Sequence, residues 1–475
     1  MPPAFFRGLD PLLPGPPDQS LHPAAPICFT HILVIEYVHS GCTGSRQSKG
    51  VCFVSSQFRK GLLLSLCAIA AVPAPVMATN GMNMIGYNVR SSGMGGADVA
   101  IDSDCSGTAC NPATLGRQHD HSLGFGVSLL MPQVDTGPDA SGRHVDSDDQ
   151  LFPLPYLAYA RRLSETSPWT LGFDMFAQGG MGVDIRDYGT SNGPGSFDSQ
   201  VRYGRFTGAA SYRLNDRLSL GLGAMVGYAD MQFSLFPEYP GGIAVEDLSS
   251  YGYAGRLGFH YKVNEILSLG GQYTTEAALN LDGGTLTANY GPAGSVVFDA
   301  EMDGFTWPQE VEVGLAVQAT RRLLIAADIK WIGWSGAIDL VKVKSSGGPP
   351  GMPTPATPGS DAILFAMNWE DQWVYALGLE YAINPAHSIR LGYNYGKSPV
   401  PDAYLSPLFP AIVEHHLTVG YGLTMEEWAL DLAYEHAFEN TRTNDNPDPL
   451  VNPFGPGVSV SQAQDTIHCS FTYFF

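Results

Sequence analysis

The sequence has few charged residues and no long apolar run beyond its first eighty positions. Asp, Glu, Lys and Arg make up 15% of the 475 residues, against about 25% in typical soluble proteins. The 25 basic residues are outnumbered by 46 acidic ones, so the formal net charge is −21. Such a chain has little means of releasing counterions from a phosphate backbone, and we expect no nucleic acid partner. We also expect no helical membrane anchor, which needs about 20 apolar residues.

Cysteine is scarce as well. Of the seven cysteines, only Cys105, Cys110 and Cys469 follow the first 67 positions. Cys105 and Cys110 could pair in an oxidising compartment or remain two free thiols, and the sequence leaves both possibilities open. Two cysteines without a neighbouring His pair do not supply four zinc ligands, so we expect no metal site.

No motif predicts catalysis or a cofactor. The complete P-loop pattern is absent, so we expect neither a bound nucleotide nor energy coupling. A hydrolase would need a Ser or Asp positioned beside a His base. The adjacent pair His415-His416 points to opposite faces of a strand. We therefore expect no enzymatic activity and no cofactor.

The N-terminal region carries the features of a signal peptide. Arg59 and Lys60 precede an almost wholly apolar run, 61–72, followed by prolines and small residues up to Ala78. A basic start, about a dozen apolar residues and a small-residue cleavage site define a secretory signal. We predict a signal peptide over 58–78, cleaved after Ala78.

Residues 1–57 are rich in proline and show no sustained period. We interpret them as an upstream extension that results from a start codon assigned too early. Translation would then begin near Val51 or Val54. A genuine leader extension is the alternative.

From about residue 119 the apolar residues recur at every second position. The stretch 218–224 alternates Leu or Ala with Ser or Gly, and 428–434 alternates large apolar residues with Ala or Asp. This period is typical of strands with one apolar face. The pattern predicts fourteen strands, at 119–131, 151–163, 168–179, 201–214, 217–235, 251–263, 266–282, 305–319, 322–344, 363–383, 387–397, 411–424, 427–440 and 458–475.

The connections between these strands alternate in length. Tight turns such as Asn215-Asp216 and Asn264-Glu265 alternate with long loops, at 132–150, 180–200, 236–250, 283–304, 345–362, 398–410 and 441–457. An even number of strands with short turns at one end and long loops at the other is typical of a closed transmembrane β-barrel. The last strand places Ile467, Phe471 and Phe475 on one face. This apolar face and terminal aromatic residue agree with a closing barrel strand.

Three stretches of the chain resemble the FadL family of hydrophobic-compound transporters. The first is 86–115, which includes a Gly-rich segment and Asn111-Pro112-Ala113. The second is 369–401, with Ser-Pro-Val-Pro at its end, and the third is 416–434. The resemblance implies an all-β, closed antiparallel barrel of fourteen strands over 119–475. It also implies a hatch, formed by 79–118, inside the barrel.

The same resemblance implies a function and partners. Family members take up long-chain fatty acids or aromatic hydrocarbons across the bacterial outer membrane, with ligand leaving sideways near the third strand. We therefore expect a hydrophobic small-molecule ligand, outer-membrane lipid and lipopolysaccharide, and the barrel-assembly machinery as partners. A general or structural porin is the alternative function.

The resemblance also suggests candidate site residues. The hatch or gate would comprise Gly93, Gly95, Gly96, Asn111, Pro112 and Ala113. Glycines at the end of the third predicted strand could form the lateral opening, at Gly179, Gly180 and Gly182. Candidate ligand contacts are Phe233, Leu235, Phe236, Phe365, Arg202 and Arg205.

One departure from the family pattern bears on the ligand. Fatty-acid-carrying members have a basic residue before the Asp-x-x-x-x-Ala-Leu-Gly block, where this chain has 364–367, Leu-Phe-Ala-Met. Another charged cluster is replaced by 411–413, Ala-Ile-Val. A buried carboxylate needs a partner, so these replacements favour a neutral hydrocarbon or an ester. Arg202 and Arg205 could still serve a carboxylate, or could be solvated arginines facing the lumen.

Overall fold

The alternating sequence forms strands along most of its length. A computed structural model describes residues 80–117, 119–148 and 151–475. The proposed upstream extension and signal peptide lie outside these residues. Nineteen strands form within the described part: β1 His121–Gly137, β2 Val145–Asp146, β3 Phe152–Arg162, β4 Trp169–Thr190, β5 Gly193–Arg213, β6 Leu218–Leu235, β7 Ile243–Lys262, β8 Leu267–Thr274, β9 Ala277–Asn289, β10 Ser295–Trp307, β11 Glu310–Gln318, β12 Leu323–Ile332, β13 Ile338–Ser346, β14 Ala362–Ala366, β15 Gln372–Ala382, β16 His387–Gly396, β17 His415–Thr424, β18 Trp428–Asn444 and β19 Val458–Phe474.

The helical elements are short. One α-helix, α1, spans Val89–Gly93, and five 3-10 helices are present in the described residues, at Cys105–Thr108, Pro112–Thr114, Gly291–Ala293, Trp334–Gly336 and Asp402–Tyr404. None of the helices in the described ranges is long and apolar enough to cross a membrane.

The strands close into a single antiparallel barrel of fourteen crossings. Each crossing pairs with the crossings before and after it along the chain, and β1 pairs with β19 to close the sheet. Four crossings each consist of two consecutive strands, namely β8–β9, β10–β11, β12–β13 and β14–β15. The remaining short strand, β2, adds to β1 in a loop. The predicted fold and strand number are therefore confirmed.

Several strands extend beyond the predicted boundaries. β4 continues to Thr190 and β5 begins at Gly193, so the predicted loop 180–200 is wrong and a tight hairpin takes its place. The predicted loop 283–304 likewise contains the end of β9 and the start of β10. Glycine and aspartate interrupt the apolar alternation in these regions, so the sequence pattern did not predict strands there. Pairing of β4 with β5 and of β9 with β10 keeps these residues extended.

The two faces of the wall differ as the alternation predicts. On β6, Leu220 and Leu222 are exposed on the outside, whereas Gly221 and Gly223 are buried inside. Exposed aromatic and aliphatic side chains recur on the outer face of the other crossings, for example Tyr253 at 74% exposure. An outward apolar band of this kind faces lipid.

Residues 80–117, here called the N-terminal segment, lie against the inner faces of the strands. Almost all of these residues are buried. Glycines on the inner wall make room for the segment. A Cβ on Gly221 would lie 2.3 Å from the amide nitrogen of Ala113, and one on Gly392 would lie 2.1 Å from that of Gly95. The inner glycines of the strands thus allow main chain to pack on main chain.

Candidate functional site

Asn111 connects two parts of the N-terminal segment with the wall. Its side chain is fully buried and donates from Nδ2 to the carbonyl oxygens of Val99 at 2.8 Å and Phe259 on β7 at 3.0 Å. Its Oδ1 accepts from the amide of Ala113 at 3.0 Å and so caps the 3-10 helix that Pro112 begins. The Asn-Pro-Ala element is therefore a junction between segment and barrel.

Gly95 and Gly96 form a turn in the N-terminal segment. Both have positive φ, +67° and +86°, which favours glycine. A Cβ on Gly96 would lie 2.2 Å from the carbonyl oxygen of Ile85, within the segment itself. Asn394 on β16 donates to the carbonyl oxygen of Gly95 at 2.9 Å. Gly93 ends α1, close to Gly420 of the wall.

Buried charged side chains on the wall hold the same segment. Asp328 on β12 accepts from the amides of Asp98 at 2.6 Å and Val99 at 2.9 Å. Arg205 on β5 and Arg256 on β7 both donate to the carbonyl oxygen of Ala109. The guanidinium groups on the carbonyl make charge-assisted hydrogen bonds, which are stronger than neutral ones. Side chains of β5, β7 and β12 therefore hold the N-terminal segment.

Next to the first described residues of the segment lies an apolar chamber. The space for water-sized molecules inside it is about 30 Å³, which is room for about two waters, so a larger ligand enters only when the lining side chains move apart. The side chains that line it come from the N-terminal segment, from β4 to β6, from β10, β13 and β14, and from the loops at 367–371 and 397–414: Met82, Met181, Val201, Met231, Phe233, Met302, Phe305, Ile338, Val341, Phe365, Met367, Trp369 and Phe409. None of these lining residues is charged.

A wider groove lies beside the chamber, among the long loops. The space for water-sized molecules inside it is about 650 Å³, and prolines at 353, 355 and 358 are part of its lining. Phe365 and Met367 line both the groove and the chamber. The two spaces therefore share a wall of two side chains, and a molecule moving from one to the other passes these residues.

The wall is incomplete between β3 and β4. Pairing of β3 with β4 stops at Tyr156 and Phe176, whereas pairing of β3 with β1 continues to Phe152. Pro153 and Pro155 lie in the part of β3 that has no β4 partner. Because alternate residues direct their amides to the same side of a strand, both prolines lack a donor on one side.

The free edge of β4 is occupied by the N-terminal segment instead. The amide of Met84 donates to the carbonyl of Gln178 at 3.2 Å, and the amide of Gly180 donates to the carbonyl of Met82 at 3.1 Å. The pairing of β4 with β5 shifts register between Ala177 and Gly179.

The predicted position of Gly179, Gly180 and Gly182 at the end of the third strand is wrong. These glycines lie in the middle of β4, beside this gap, because the strand continues to Thr190.

Arg202 and Arg205, the two predicted carboxylate partners, lie on opposite faces of β5. Arg202 lies on the outer face of β5, where its Nε is 2.6 Å from Oδ1 of Asp230. It does not reach the chamber. Arg205 faces inward and is buried, but it binds Gln178 at 2.7 Å and the carbonyl of Ala109 at 2.9 Å. Neither arginine lines the chamber.

The predicted ligand contacts fall into three places. Phe233 and Phe365 line the chamber, and Leu235 lines the outer groove. Phe236 packs instead in an aromatic cluster with Tyr188, Phe197 and Phe454. Sequence reasoning missed the chamber methionines, since nothing in their local pattern distinguishes them from other inward residues.

Cys105 and Cys110 are free thiols in the structure, and both are buried. Cys110 Sγ accepts from Asn88 Nδ2 at 3.0 Å. Burial raises the pKa of both thiols well above its usual range, because the thiolate would lose its hydration. These cysteines are therefore packing groups of the N-terminal segment.

Comparison with known structures shows the same fold. The structure is similar to the crystal structure of the toluene transporter TodX from P. putida, with a TM-score of 0.67 and 21% identity, covering 82% of this chain and 99% of that one. It is also similar to a FadL homologue from Pseudomonas aeruginosa, with a TM-score of 0.67 and 16% identity over 83% of this chain and 100% of that one. The toluene transporter TbuX from Ralstonia pickettii has a TM-score of 0.64 and 20% identity over 82% of this chain and 99% of that one.

Comparison at the level of sequence identifies the family. A curated relative from Chlorobium limicola, an uncharacterized protein in the 5′ region of the phosphoenolpyruvate carboxykinase gene, is 37% identical over 116 residues. This match covers 24% of the chain and 53% of the relative, so the chain spans about half of that relative's length. The family model for the outer membrane protein transport protein (OMPP1/FadL/TodX) matches residues 70–472. The chain thus belongs to the FadL and TodX family of outer membrane transport proteins, as its resemblance in sequence implied.

Proposed function

We propose that the protein takes up neutral hydrophobic molecules passively across the outer membrane. The observation that carries this proposal is the chamber, whose thirteen lining side chains are all apolar. Apolar ligands gain about 25 cal/mol for each Å² of surface removed from water. Transport down a concentration gradient requires no covalent step and no cofactor.

The lining favours neutral ligands over fatty acids. A carboxylate transferred to an apolar site without a partner is strongly disfavoured. Arg202 is paired with Asp230 on the outer face, and Arg205 is engaged by Gln178 and Ala109. A neutral aromatic hydrocarbon or an ester leaves no charge unpaired in the chamber.

The proposed route has three parts. A ligand is first captured in the outer groove, then passes Phe365 and Met367 into the chamber, and finally leaves through the wall between β3 and β4. Residues Met82–Met84 occupy this gap through main-chain bonds to β4, so the exit requires them to move. We propose that the hatch, 79–118, is the element that moves, with Gly93, Gly95, Gly96, Asn111, Pro112 and Ala113 setting its two arrangements.

The proposal includes maturation and partners. Cleavage after Ala78 would leave Thr79 as the first residue, immediately before the part of the segment that lies beside the chamber. N-terminal sequencing of protein from outer membranes would test this cleavage site. The exposed apolar band implies contact with outer-membrane lipid and lipopolysaccharide, and assembly by the barrel-assembly machinery.

A matched pair of ligands tests the preference for neutral molecules. We expect biphenyl to bind the protein in detergent micelles at least about tenfold more tightly than biphenyl-4-carboxylate, a difference of about 1.4 kcal/mol or more. Phe365→Ala should weaken biphenyl binding, because Phe365 lines both spaces. Phe173→Ala is the matched control, since Phe173 is exposed on the outer face. Tighter binding of the carboxylate would contradict the proposal.

Electrical recordings distinguish this function from a general porin. The N-terminal segment lies against the inner faces of the strands, so we expect near silence in planar bilayers. Large steady currents from the wild-type protein would support the porin instead.

A further inference from the structure

A buried carboxylate holds the part of the N-terminal segment that occupies the gap in the wall. Glu310, the first residue of β11, is 3% exposed. Its Oε1 accepts from Nδ2 of Asn83 at 2.9 Å, and the hydroxyl of Tyr87 lies 3.2 Å from both of its oxygens. Asn83 and Tyr87 are themselves buried. Because hydrogen bonds to a carboxylate are stronger than those between neutral groups, Glu310 holds residues 83–87 firmly.

Asn83 connects this carboxylate with the free edge of β4. Its Oδ1 accepts from Nε2 of Gln178 on β4 at 3.0 Å and from Nε1 of Trp307 on β10 at 3.0 Å. Nε2 of Gln178 also lies 3.4 Å from Oε1 of Glu310. The carbonyl of the same Gln178 accepts from the amide of Met84. The side chain of Asn83 therefore joins β4, β10 and β11 where the segment closes the gap.

The same stretch of chain also lines the chamber. Met82 directly precedes Asn83, is completely buried, and is the lining side chain that the N-terminal segment contributes. Most of the other lining residues lie on strands, which ladder bonds hold in place. Since a ligand fits only when lining side chains move apart, Met82 is the lining residue that is least held by the barrel. Movement of Met82 displaces Asn83 and so strains its bond to Glu310.

We propose that Glu310 is the positioning residue that keeps the exit closed, and that ligand in the chamber opens the exit by displacing Met82. This inference rests on the proposed uptake function. In the closed arrangement, Asn83 and Tyr87 are bound to Glu310, and residues 82–84 cover the free edge of β4. In the open arrangement these bonds are broken, the chamber gains the space that Met82 leaves, and residues 82–84 leave the gap.

Closure by Glu310 lowers the apparent affinity for ligand. A ligand shifts the protein towards the open arrangement because it binds that arrangement more tightly. The apparent dissociation constant equals the intrinsic one divided by the fraction of protein that is open. A weaker hold by Glu310 raises this fraction, so it should tighten ligand binding. A merely structural role of Glu310 would not predict tighter binding.

Biphenyl binding to the full mature protein in detergent micelles tests this role. Glu310→Gln removes the charge at nearly constant size, and Tyr87→Phe removes the hydroxyl while keeping the ring. We expect each variant to bind biphenyl about tenfold more tightly than the wild type, and the amide of Met84 to exchange with deuterium about tenfold faster. Because both variants weaken the same contact, the double variant should bind about as tightly as either single one.

Glu312→Gln is the matched control. Glu312 is the next inward carboxylate of β11 and is equally buried, but its Oε2 accepts from Nε2 of Gln272 on β8. This variant should keep the affinity of the wild type and its exchange at Met84. Heat-modifiable gel migration shows that each variant is folded.

Unchanged or weaker biphenyl binding by folded Glu310→Gln and Tyr87→Phe would overturn the proposal. A wild-type protein that does not bind biphenyl would contradict the proposed function instead. Exchange at Met84 without ligand would then decide about Glu310, because wild-type exchange in both variants would show that Glu310 does not hold the segment.

Discussion

Replacing Asn111 with alanine should release the N-terminal segment while leaving the barrel intact. The substitution removes three hydrogen bonds, to Val99, Phe259 and Ala113, of which those to Val99 and Ala113 are buried. A neutral hydrogen bond contributes about 1 kcal/mol net, so the segment loses about 3 kcal/mol of local stability. At 1.4 kcal/mol for each factor of ten, its opening equilibrium shifts by roughly 100-fold.

Hydrogen–deuterium exchange measures this shift peptide by peptide. In Asn111→Ala, amides between 99 and 117 should exchange up to about 100-fold faster, because local opening controls their exchange. Strand peptides should keep their protection, since the ladder bonds of the barrel do not involve Asn111. Asn384→Ala is the control, because Asn384 caps a tight turn, with Oδ1 bound to the amides of Ala386 and His387. Unchanged exchange in the segment, or equal loss of protection in β7, would refute the reasoning.

Three further predictions follow from the same geometry. Gly96→Ala should prevent the N-terminal segment from packing against the wall, because the new Cβ would meet the carbonyl of Ile85 at a positive φ. Uptake and hydrogen–deuterium exchange of the segment should change while heat-modifiable migration is kept. Uptake and exchange equal to those of the wild type would contradict this. Burial raises the thiol pKa values of Cys105 and Cys110. Both thiols should therefore resist maleimide in micelles at pH 7.5 and react in denaturant. Labelling of the folded protein would argue against the packing. Hydrogen bonds from the Ser141 hydroxyl and from Arg143 hold the pKa of the loop residue Asp139 well below its usual range. The loop loses this stabilisation only as the pH falls from about 4 through the lowered pKa, so a spin label at Ala140→Cys should stay immobile from pH 8 to about 4. A gain of mobility between pH 8 and about 5 would count against this.

The barrel could be predicted from the sequence because the apolar residue at every second position marks the outer face of each strand. In 218–224 this alternation is complete, and β6 forms where it was predicted. The hairpin of β4 and β5 was missed because its glycines and aspartates carry no alternation. Its stability comes from pairing between the two strands, which a local pattern does not contain.

The site was predictable in part for a similar reason. Phe233 and Phe365 are large apolar residues near predicted loops, and both line the chamber. Their partner Met82 is separated from them by more than a hundred residues, so only the folded chain brings them together. The outward position of Arg202 was available from the sequence. It lies three residues before Arg205, and residues three apart on a strand face opposite sides.

The contacts of the N-terminal segment also constrain the order in which the molecule is built. Its partners Phe259, Asp328 and Asn394 are contributed by β7, β12 and β16, so they are translated and placed long after the segment itself. Until those strands have come together, the N-terminal segment lacks part of its native hydrogen-bond partners. The N-terminal segment is thus among the last of the described parts of the chain to acquire its native surroundings.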